Sequence, residues 1–143
     1  MTLYAVAVVV HVLAAVLAVG LVGAIPLTAR LGRASDGAMA GSEKVLGTLL
    51  RAVQVGLVVI LLTGGLLDLS AAGAFHRTGW FRVAIAIFVV LGGSLGRARA
   101  ALRRGFAPGG VRENALARVE RWGWTMCALV AVIVILMQMK PLP

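Results

Sequence analysis

A single cysteine, Cys127, cannot close an internal disulfide, which excludes a disulfide-stapled secreted scaffold. Charge is scarce. Charged residues make up 13% of the 143-residue chain, against about 25% in average soluble domains. Acidic residues number five and histidines two. No GxSxG, HExxH, P-loop or dinucleotide fingerprint occurs. No repeat of roughly 20–50 residues is evident, and no polar segment is long enough for a separate domain. What remains is apolar: hydrophobic residues are 61% of the chain and mean hydropathy is +1.01. Small soluble domains bury the smallest fraction of their surface. This composition therefore excludes a soluble enzyme and a disordered tail, and makes lipid the fitting solvent.

A transmembrane helix needs about 20 mostly apolar residues. Four such stretches are predicted, at about 3–27, 46–69, 80–98 and 122–139. Together they form one transmembrane domain over 1–143, an all-α antiparallel four-helix bundle. The third stretch is short: the 14 residues from Val83 to Gly96 lie between charges and rise about 21 Å. Arg82 and Arg97 must snorkel outward there, or the bilayer must thin. The first stretch lacks a charged leader and is too long for a signal-peptide core, so it is expected to remain. Pro26 sits near its inner end, where a kink or stop is tolerable.

The net charge is +9. Of 14 Lys and Arg residues, 11 fall in the connections after the first and third spans. The positive-inside rule then puts both termini outside and the two basic connections in the cytoplasm, as expected of a multi-pass protein of a bacterial inner membrane. Tyr4 and Trp80 fall at the outer interface, Trp122 and Trp124 at the inner one. The basic residues thus face anionic lipid headgroups rather than nucleic acid. The run Arg97 to Arg104 reads as an extension of the third helix, followed by a turn at Gly105 to Gly110.

Small residues must let helices approach in lipid. Ala14 and Ala18, Gly56, Gly64-Gly65, Gly92-x-x-x-Gly96 and Gly123-x-x-x-Cys127 supply them. The pattern suits a tight bundle and equally a homo-oligomer or a membrane-complex partner. Cys127 reads as a small packing residue, and Gln54 as a group bonding across helices.

Ionisable groups inside a membrane are functional candidates. His11 lies about 12 Å in from the outer end of span one. It suits haem ligation, proton transfer, or a hydrogen bond to Thr63 of span two, which lies at similar depth. Gly64 and Gly65 could leave space beside His11 for a flat macrocycle. Met137 is expected nearer the outer surface than His11, so a second axial ligand within the monomer is missing. A zinc or copper site needs more ligands than this segment supplies. Asp68 stands at the C-terminal end of span two, the wrong helix end for a negative charge. A pair with Arg82 is the simplest resolution; an entry point for a proton or cation is the alternative.

The run His11-Val-Leu-Ala-Ala-Val-Leu-Ala-Val-Gly20 resembles the opening helix of bacterial membrane proteins related to the copper-resistance protein D family. Leu49-Leu-Arg51, Thr63-Gly64 and Gly79-Trp80 followed by Arg82 extend the likeness over about residues 5–104. Ala18 stands where that pattern has tryptophan, and Arg82 where it often has lysine. The resemblance implies a four-helix membrane protein, many of these relatives being of unknown function. A more distant membrane family linked to protoporphyrinogen oxidation binds haem b through the histidine corresponding to His11. The sequence favours a structural or accessory membrane component without catalysis of its own. A haem-b-associated redox protein using His11 and a small transporter or ion pathway stay open as alternatives.

Overall fold

A computed structural model of the protein describes residues 2–34 and 39–139. It is a bundle of four helices: α1 Leu3–Ala34, α2 Met39–Ser70, α3 Gly79–Gly105 and α4 Arg112–Met139. Each contains a segment long and apolar enough to cross a membrane. Among the described residues there is no strand. The protein is a small integral membrane protein of the all-α class.

The helices run past the predicted spans at the arginine-rich end. α1 and α2 have 32 residues each, about 48 Å of helix against a hydrocarbon core of about 30 Å. Nothing in the flanking sequence stops them. Arg97 to Arg104 consists of Ala, Leu and Arg, all good helix formers, so α3 continues through it to Gly105. The connection to α4 turns at Gly109, whose φ of +80° is a left-handed conformation that glycine adopts freely.

α1 packs against α2 and α4, and α3 packs against α4, whereas α2 and α3 touch only sparsely. The core is concentrated at one end. Ile25, Leu46, Leu50, Leu91, Leu116 and Met126 are completely buried. Ile25, Leu46, Leu50 and Leu116 lie toward the arginine-rich connections, and Leu91 and Met126 near the middle of α3 and α4. Toward the termini, Val16, Leu17, Leu62 and Val89 are about two-thirds exposed, as suits side chains facing lipid, where helices gain no hydrophobic association.

Pro26 does not end α1, which continues to Ala34. The side chain packs against Gly123 of α4, where a Cβ would fall 2.8 Å from Pro26 Cδ. Proline has no N–H, so the carbonyl of Val22 loses its ordinary helical donor. Cys127, one turn beyond Gly123, donates its thiol to that carbonyl at 3.8 Å. A freed backbone group inside the bundle is thus met from the neighbouring helix. Further ties close the arginine-rich end. Arg33 of α1 pairs with Glu120 of α4 at 2.6 Å. Arg97 of α3 lies 5.3 Å from the ring centroid of Trp122 on α4, and Arg99 of α3 hydrogen-bonds Gln54 of α2.

Candidate functional site

His11 belongs to the face of α1 that also carries Ala7, Ala18, Val22 and Ile25, at steps of three and four residues. All four of those companions are buried. The face meets small residues of α2. Gly56 sits under Ala18, with a Cβ there 3.2 Å from the Ala18 methyl. Gly64 sits under the His11 ring, with a Cβ there 3.3 Å from Cε1. The space above Gly64 is therefore filled by the imidazole itself. The expected room for a macrocycle at Gly64 and Gly65 is not there at Gly64; only Gly65 faces open space.

His11 Nδ1 lies 2.8 Å from Thr63 Oγ1. The Thr63 hydroxyl is 2.7 Å from the carbonyl of Val59, one turn back in α2. A hydroxyl has one proton. The carbonyl can only accept, so it takes that proton. Thr63 oxygen then accepts Nδ1–H of His11, and Nε2 keeps its lone pair. The network assigns this tautomer. The arrangement links α1 to α2 at the height where lipid offers neither group a partner.

Two apolar cavities flank the imidazole, of about 200 Å³ and about 90 Å³. Ile60, Phe88, Ile133 and Met137 line both, together with His11. Sequence spacing placed Met137 nearer the surface than His11; the structure brings the two into the same walls. The reason is the direction of helical side chains, which lean toward their own N-terminus. α1 and α4 run antiparallel, so His11 leans toward the end with the termini and Met137 leans away from it. Drug-sized ligands occupy pockets of roughly 300–1,000 Å³. Both cavities fall below that range, and a porphyrin does not fit either without separating helices. Among the described residues no group of three or more His, Cys, Asp or Glu could hold a metal ion.

Asp68 makes a different contact from the expected one. Its carboxylate accepts the backbone N–H groups of Phe75 at 2.9 Å and His76 at 3.2 Å, and meets His76 Nδ1 at 2.9 Å. Arg82 instead donates its Nε–H to the carbonyl of His76 at 3.1 Å. The loop after α2 folds back over the helix end through Ala72 and Gly73, both at positive φ. It thereby brings donors to a carboxylate that sits at the unfavourable end of the helix dipole. Arg82 is one residue removed from Asp68, with His76 between them. Sequence reasoning passed over His76 as a partner. The available signal was its place in the short connection between the two residues that were paired.

The chain matches no family model, no curated protein and no solved structure.

Proposed function

We propose that the protein is an accessory, non-catalytic component of a bacterial inner membrane, acting as a subunit or homo-oligomer. In this reading both termini lie outside and the arginine-rich connections lie in the cytoplasm. One observation carries it: His11, the ionisable group deepest in the apolar phase, uses Nδ1 to tie α1 to Thr63 of α2. Two further polar pairs also cross helices: Gln54 is joined to Arg99, and Arg33 to Glu120. Such bonds tie helices together in a membrane bundle. The test is a visible absorption spectrum of the full chain, purified in mild detergent from haem-replete cells. A colourless protein is expected. A Soret band that vanishes in His11→Ala would overturn the reading.

A second reading, a haem-b-associated redox protein, draws on the unused lone pair of His11 Nε2 and on Met137 in the same cavity walls. The family resemblance points the same way. It requires the sparsely packed α2 and α3 to move apart, because the cavities beside His11 are too small as they stand.

A further inference from the structure

α2 and α3 are neighbours that barely pack. At the arginine-rich end they enclose a cavity of about 390 Å³. Its walls carry Lys44 and Arg51 from α2 and Arg99 and Arg103 from α3, against one carboxylate, Glu43. Among the described residues none of these four cations forms an ion pair. Arg99 is held in place by Gln54. Four cations converging on one hollow repel each other, and an anion placed among them relieves that repulsion.

The hollow continues into a seam. From Lys44, Gly47 and Arg51, helical steps of three and four lead along α2 to Val58, Leu61 and Gly65. From Arg103 and Arg99, the same steps lead along α3 to Gly96, Gly92 and Phe88. A Cβ at Gly65, Gly92 or Gly96 would meet nothing within 4 Å. Leu61, Gly65 and Phe88 then line the apolar cavity of about 200 Å³. A cationic hollow, an open glycine floor and an apolar cavity thus follow one another along α2 and α3, the last walled also by His11 of α1 and by Ile133 and Met137 of α4.

We propose that this seam binds one anionic phospholipid, with its phosphate-bearing headgroup among Lys44, Arg51, Arg99 and Arg103 and an acyl chain along Gly96 and Gly92. Charge selects the headgroup, since a zwitterionic one would bring no net negative charge to four cations. Basic pockets between membrane helices suit such headgroups. The glycine floor, with no side chain above it, leaves room for a chain. The cationic hollow that holds the headgroup does not include His11, so it stands whatever that residue does.

The full chain in mild detergent is titrated with phosphatidylglycerol, with phosphatidylcholine of the same acyl chains, and with inorganic phosphate, and bound lipid is counted by native mass spectrometry. Phosphatidylglycerol is expected to bind more tightly than phosphatidylcholine. The pair Arg51→Gln and Arg103→Gln should weaken phosphatidylglycerol binding about tenfold or more. The pair Arg30→Gln and Arg121→Gln, equally exposed and outside the seam, should change it less than about twofold. Arg103→Gln alone should weaken it by about fivefold, which keeps the test open if the double variant does not fold. Gly96→Leu should weaken it by filling the floor. Equal losses in the two arginine pairs would reduce the effect to general surface charge and overturn the proposal. Displacement of the lipid by inorganic phosphate at equal concentration would overturn the lipid as occupant. A Gly96→Leu variant that binds lipid unchanged but loses self-association would assign the seam to a second copy of the chain.

Discussion

The thiol of Cys127 on α4 donates to the carbonyl of Val22 on α1, 3.8 Å away, and does so opposite the one residue of α1 that cannot. Pro26 stands four residues after Val22 and lacks the N–H that would close the helical bond. Cys127→Ala should therefore cost about 1 kcal/mol or more, because it leaves a buried carbonyl unpaired. In a Pro26→Ala background the backbone donor returns, and the same change should cost little. Reversible unfolding in mixed micelles measures both. Strict additivity of the two substitutions would show that the thiol and the proline act independently.

Asp68 and His76 make a second testable unit. Asp68→Asn and His76→Gln should each loosen the α2–α3 connection, and a double-mutant cycle should show them coupled. The Asp68–Arg82 cycle should give a smaller coupling, since the guanidinium reaches the His76 carbonyl and not the carboxylate. A larger coupling to Arg82 than to His76 would restore the direct ion pair.

Much of the fold was legible because membrane spans are written in composition. Eighteen residues without charge from Trp122 to Met139 mark a span whatever the neighbouring helices do. The end of α3 was legible as well: Arg97 to Arg104 holds good helix formers before a glycine-rich turn, and α3 ends at Gly105. The height match of His11 and Thr63 followed from helical rise alone. The level of Met137 did not, because rise locates a Cα and says nothing of the lean of a long side chain. Asp68 was misassigned for a similar reason. Its partners are mainly backbone N–H groups of a folded loop, and sequence pairing rules consider only side chains. The filled space above Gly64 was hidden too, because a glycine can mark either a vacancy or a close approach.

Orientation rests on charge alone and has a direct test. Cysteines placed singly at Ser35 and Pro108, in a Cys127→Ser background, should resist an impermeant thiol reagent in intact cells and react after permeabilisation. Pro108 lies exposed in the α3–α4 turn, while Ser35 lies outside the described residues. Labelling of either site in intact cells would reverse the assignment.

The structural role of His11 is tested most directly by a double-mutant cycle with Thr63, using His11→Leu and Thr63→Val and unfolding in mixed micelles. A hydrogen bond between membrane helices contributes about 0.6–2 kcal/mol, and the predicted coupling lies in that range. His11→Asn, which can still bond to Thr63, should hold the fold better than His11→Leu. Zero coupling, with the asparagine and leucine variants equally stable, would contradict the role of His11 as a tie between α1 and α2.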